Sequence, residues 1–91
     1  MKKIYKYSLG TAGIVTIQIP QFSKVLSVIN QHGTITVYAL VEPDNRLVDY
    51  EFLVIGTGKP LEDDIDRYTF VGTVESTNKL FVWHIFYRID N

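Results

Sequence analysis

Leu80-Phe81-Val82-Trp83-His84-Ile85-Phe86-Tyr87-Arg88-Ile89 is the most hydrophobic and most aromatic run of the chain, and its reading decides the fold. Successive side chains of a β-strand point to opposite faces. Phe81, Trp83, Ile85, Tyr87 and Ile89 therefore share one face, and Leu80, Val82, His84, Phe86 and Arg88 the other. Both faces are apolar in the middle, which predicts a central strand with protein on each side. A sandwich layer should cover one face, and a second layer or another subunit the other. The polar exceptions, His84 and Arg88, fall together on the second face, where a polar pocket can open.

The rest of the chain supplies strands to surround it. Lys3–Leu9 sets Tyr5 and Tyr7 against Lys6 and Ser8, an edge strand with its tyrosines inward and lysine outside. Ile14–Ile19 follows and is ended by Pro20, which has no backbone donor. Lys24–Asn30 and Thr34–Val41 read as a hairpin around Gln31-His32-Gly33, with Gly33 supplying a positive φ. Asp49–Ile55 comes after the turn cluster Glu42–Arg46. Tyr68–Val74 is interrupted by Gly72, which predicts a bulge or a close backbone approach. Between these last two strands lies the longest non-strand stretch, with one helical turn expected around Glu62–Asp66. No segment sustains a helical period. The expectation is an all-β chain, residues 1–91 as a single β domain, in a small antiparallel sandwich or flattened barrel of about seven strands.

Composition narrows the function. Nine basic against ten acidic residues leave a net charge of −1, so duplex nucleic acid held through its phosphates is not expected. The chain has no cysteine, which removes disulfides and cysteine-based zinc sites. Hydrophobic residues are 46% and aromatic residues 13%, generous for a lone small sandwich, and the surplus predicts a homo-oligomer. Met1-Lys2-Lys3 is not followed by a continuous apolar stretch, so we read no signal peptide and no membrane span, and expect a cytoplasmic protein.

Taken in order, several pieces form a recognisable series. They are Ile4-Tyr5-Lys6-Tyr7, Val15-Thr16-Ile17 with Pro20, Lys24-Val25-Leu26-Ser27-Val28, Tyr38-Ala39-Leu40-Val41 with Pro43-Asp44, Gly56-Thr57-Gly58, Phe70-Val71-Gly72-Thr73 and Phe81-Val82-Trp83-His84-Ile85-Phe86. The series resembles a family of small uncharacterised proteins of bacteriophages and bacterial genomes that bears only a domain-of-unknown-function label. The resemblance implies a phage or prophage origin and transfers no functional residue. The chain departs from the family's pattern in Trp83 beside His84 and in a tail, Tyr87–Asn91, expected to be extra.

Four groups of residues offer chemistry. Gly56-Thr57-Gly58-Lys59 can converge backbone amides and an ammonium on an anion, although it lacks the P-loop spacing and reads more simply as a wide turn. His84 can contact a ligand or move a proton, or simply be a hydrogen-bonded interior residue; no nucleophile elbow accompanies it. Glu62, Asp63, Asp64 and Asp66 match no calcium loop and read best as a solvated acidic segment. The tyrosines and Trp83, with Arg46, Arg67 and Arg88, either pack a thin sandwich or stack and clamp a small nucleotide. With no cysteine nucleophile, metal motif or recognisable dyad, an enzyme is not expected, and no cofactor is. The function expected is a non-enzymatic, homo-oligomeric phage-type protein that sequesters a nucleotide-derived signal. Its ligand-binding residues would be Thr57, Lys59, Arg67, Trp83, His84 and Arg88. The alternative is a protein-interaction or virion accessory module with no small ligand.

Overall fold

A computed structural model describes residues 1–10 and 12–90. Seven strands form: β1 (Lys3–Gly10), β2 (Gly13–Pro20), β3 (Lys24–Gln31), β4 (Thr34–Val41), β5 (Leu47–Gly56), β6 (Thr69–Glu75) and β7 (Val82–Asp90). They make two antiparallel sheets, one ordered β1-β4-β3 and the other β2-β5-β7-β6. The sheets face each other as an open sandwich and do not close into a barrel, which resolves the two architectures expected.

The core follows from alternation. β4 turns Ile35, Val37, Ala39 and Val41 inward, and β5 answers with Val48, Tyr50, Phe52 and Val54. Leu9, Ile19, Val74 and Ile85 complete the buried set. Tyr50 is wholly buried, and its hydroxyl donates to the Ser23 carbonyl at 3.1 Å, so its one polar atom is satisfied. Tyr87 lies between the rings of Tyr50 and Phe52, 6.0 Å from each. Most of the chain's inward aromatics are therefore core.

β1 is an edge strand, as its lysines predict, with Tyr5 and Tyr7 facing Ala39 and Val37. The β3–β4 hairpin turns on His32 (φ 52°) and Gly33 (φ 89°), the two-residue primed turn that matches strand twist. Gly72 fulfils both readings of its position. β6 bulges between Phe70 and Gly72, and a Cβ on Gly72 would sit 2.9 Å from Val28 Cγ1 in the facing sheet.

β7 is central, flanked by β5 and β6. Both neighbours run antiparallel to it and so parallel to each other, and the chain must cross β7 to pass from one to the other. That crossover, residues 57–68, contains a short 3-10 helix, Asp63–Arg67, and lies on the sheet's outer face. The face of β7 that should meet a second layer or subunit thus carries a partial lid from its own chain.

Candidate functional site

The outer face of the four-stranded sheet is built by register. β5 and β7 pair Ile55 with His84, Leu53 with Phe86 and Glu51 with Arg88. β6 sets Thr73 beside His84 and Phe70 beside Phe86, and the two phenyl rings meet edge to face at 5.3 Å. The crossover drops Leu61 and Ile65 onto this surface and leaves two recesses that share Leu61.

The smaller recess, about 200 Å³, holds Thr57, Lys59 and His84 with apolar walls from Ile55, Leu61 and Phe86. The His84 ring is fixed from both sides. Thr57 Oγ1 lies 2.7 Å from Nε2, and Thr73 Oγ1 lies 3.1 Å from Nδ1. Thr57 and His84 have the spacing of a nucleophile and its base. The second ring nitrogen meets a hydroxyl, however, where a triad would place a carboxylate to stabilise the imidazolium. We read the arrangement as holding the ring still.

The larger recess, about 350 Å³, runs beneath the crossover and ends in a charged cluster. Arg88 Nε lies 3.1 Å from Glu51 Oε2, and its Nη1 lies 3.3 Å from Asp64 Oδ2. The Arg88 guanidinium also sits 4.8 Å from the centre of the Tyr68 ring, and the Tyr68 hydroxyl donates to Glu51 Oε2. Burial, then the hydrogen bond to the Glu51 carboxylate and its charge, push the Tyr68 phenol up to about 12. Two carboxylates thus occupy the one arginine, and this end of the surface accepts hydrogen bonds more readily than it attracts anions.

Four of the six residues expected at the site reach the two recesses of this face by this route. Thr57, Lys59 and His84 gather in one recess and Arg88 closes the other. Arg67 lies beyond Arg88, at a shallow opening also lined by Thr69 and Ile89. Trp83 does not join them. Alternation turns it to the inner face, where its ring stacks on Phe81 at 5.7 Å and packs over Gly56. Phe86 reaches the surface by the parity it shares with His84 and Arg88, whereas Glu51, Thr73 and Leu61 belong to the surface without any sign in the sequence. These three are brought in by cross-strand pairing or by the crossover, which no local pattern encodes. Glu62 and Asp64 line the larger recess. Among the described residues no group of three His, Cys, Asp or Glu side chains is placed to hold a metal ion. Among the same residues no helix is long and apolar enough to cross a membrane.

No curated protein and no solved structure matches the chain. A family model does, over residues 1–91, and the tail Tyr87–Asn91 expected to lie outside the family's pattern is inside the match. The chain belongs to the family described as a domain of unknown function, DUF7352.

Proposed function

We propose that the protein is a non-enzymatic, self-associating binder that sequesters a nucleotide-type signalling molecule on the outer face of its four-stranded sheet. The observation that carries this reading is the pair of recesses joined across Leu61, cationic at one end and carboxylate-rich at the other. A nucleotide has matching ends. Its phosphate would meet Lys59, the Thr57 hydroxyl and the backbone of the Gly56–Gly58 turn. Its ribose or base would donate to Glu51 and Asp64 beside Tyr68, over the apolar floor of Leu53, Ile55 and Ile65. The smaller recess is below the ~300–1,000 Å³ of a typical ligand pocket, so a ligand would span both or be covered by a second copy. In a phage, as the sequence resemblance implies, such a protein would withdraw a host defence signal from circulation.

The test is native mass spectrometry of the purified protein with cyclic di- and trinucleotides and ADP-ribose derivatives. The expected result is a retained adduct that Lys59→Ala weakens by at least about tenfold, the size of one charge-assisted contact. Loss of every adduct from the wild-type protein would sink the reading. The runner-up, a protein-interaction or virion accessory module, would then stand. It is favoured by the exposure of Ile14, Leu61 and Phe70 on the same face, and pull-down from host lysate would follow.

A further inference from the structure

We infer that two copies of the chain join through the free edge of β2, pairing it antiparallel with itself about a two-fold axis at Thr16. The inference rests on the self-associating part of the reading above and needs no ligand.

The four edge strands are not alike. β1, β3 and β6 each carry a register shift among the described residues, at Ser8/Gly10, Val25/Ser27 and Phe70/Gly72. Bulges of this kind twist an edge away from further pairing. β1 adds Lys3 and Lys6, whose charges discourage another strand. β3 and β6 also lie against each other across the sandwich. Gly72 approaches Val28, and Asn30 Nδ2 donates to the Glu75 carbonyl at 2.9 Å. β2 has none of these guards. Gly13-Ile14-Val15-Thr16-Ile17-Gln18-Ile19-Pro20 holds an unbroken register with β5 and contains no charged residue.

The register also tells which backbone groups of β2 are free. The Gln21 amide donates to the Arg46 carbonyl at 2.8 Å. This extends the β2–β5 register by one pair and makes it a hydrogen-bonded one. Such pairs alternate, so Ile19, Ile17, Val15 and Gly13 bond to β5. An independent contact agrees. The Thr57 amide donates to the Val82 carbonyl, which assigns the odd-numbered residues of β5 to β7 and leaves the even-numbered ones to β2. The amides and carbonyls of Ile14, Thr16 and Gln18 therefore point to the open side. Pro20 shares their parity, so its missing amide removes nothing from the sheet.

These three residues are symmetric about Thr16, which is what makes a second copy the occupant. In antiparallel self-pairing, Thr16 meets Thr16 of the second copy, and Ile14 and Gln18 meet Gln18 and Ile14. Each pair exchanges two hydrogen bonds, and the threonine side chains face each other as a favourable cross-strand pair. No like charges meet. The product is one continuous eight-stranded sheet with both pairs of recesses on the same outer face. An interface of one strand each lies at the small end of stable contacts, so the dimer should dissociate in the micromolar range.

The experiment is light scattering across a concentration series on wild type and Thr16→Lys, with circular dichroism to confirm the fold. In Thr16→Lys two ammonium groups meet at the axis, and dimerisation should weaken at least about tenfold. Thr16→Cys gives a second readout. The native chain has no cysteine, so any disulfide must join two copies. The Cα separation of about 5.5 Å in a hydrogen-bonded pair is within disulfide range. Thr16→Cys should cross-link under mild oxidant and Lys6→Cys should not, and this pair decides the matter if Thr16→Lys misfolds. A wild-type oligomer indifferent to Thr16→Lys, with no preferential cross-link at position 16, overturns the edge pairing and leaves self-association standing. A wild-type monomer at every concentration overturns both, while adduct formation judges the ligand separately.

Discussion

The Tyr68 proton is the most measurable consequence of the site's geometry. Its phenol is held up to about 12, against an ordinary 10, by burial and by the Glu51 carboxylate it donates to. A group with a raised folded-state pKa keeps its contribution to stability below the unfolded value and loses it as pH climbs through the folded one. Urea unfolding should therefore give stability that declines between about pH 10 and 12. Glu51→Gln should make that decline shallower while leaving the share that burial of Tyr68, Tyr7 and Tyr50 causes. A slope unchanged in the variant would mean that the carboxylate adds nothing to it. Gly72 gives a second test. In Gly72→Ala the new methyl meets a Val28 methyl at 2.9 Å, and valine is stiff at χ1, so the variant should lose about 1–3 kcal/mol. Adding Val28→Ala should recover part of the loss as a favourable coupling in a double-mutant cycle. Gly72 was legible in the sequence because it interrupts an otherwise apolar strand face. His84 and Arg88 were legible as members of one face because parity alone puts both there, four residues apart with Phe86 between them. Trp83 was grouped with them although the same parity sends it to the opposite side. Glu51 and Thr73 were not legible, since they become neighbours of Arg88 and His84 only through pairing between strands distant in sequence.

At the scale of elements, the strands were legible because period-two alternation is local, and in β2, β4, β5 and β7 the inner residues keep one parity. The bulges of β3 and β6 break it, turning both Val25 and Val28 inward and sending Phe70 and Val74 to opposite faces. The helical turn expected around Glu62–Asp66 appears as the 3-10 helix Asp63–Arg67, displaced by one residue. The path of the segment containing it was not legible. Nothing in residues 57–68 states that β5 and β6 flank β7, yet that order forces the segment across the outer face. Beyond Thr57, whose amide donates to the Val82 carbonyl, the backbone bonds described for it are few and local, such as Ile65 to Glu62 and Tyr68 to Ile65. Hydrogen exchange should find amides in 58–68 opening well before those of β5 and β7, whose ladders are paired on both sides. Equal protection would mean that the crossover is held more firmly than these bonds allow. The β2–β3 turn gives the opposite case, a non-glycine residue under strain. Phe22 sits at φ 68° with its side chain 83% exposed, so its ring secures little packing in return. Phe22→Gly should leave the fold intact and raise unfolding free energy in urea by about 0.5–1 kcal/mol. A loss instead would mean that the ring contributes to stability despite its exposure.

The whole molecule is a plate, 40 × 32 × 16 Å, only two layers thick. A plate has much face for its volume, and a chain rich in apolar residues cannot hide them all in one inter-sheet core. Ile4 and Ile29 remain exposed on one sheet, and Ile14 and Phe70 on the other. Without disulfides, a domain of this size gains stability most directly by joining another copy. Joining through β2 would extend the plate sideways and leave both outer faces free, so the recesses would stay open to a ligand. Folding and association would then be linked: the paired state is favoured by mass action and melting depends on protein concentration. For a dimer of this length the unfolding enthalpy implies a rise in Tm of roughly 2–4 °C for each tenfold increase in concentration. Thr16→Lys should flatten that dependence while keeping a cooperative transition, because Thr16 donates nothing to β5 and its side chain lies outside the core. Calorimetry over two decades of concentration reads both. A wild-type Tm that does not move would show the plate to be stable alone and remove the energetic reason for its bare edge.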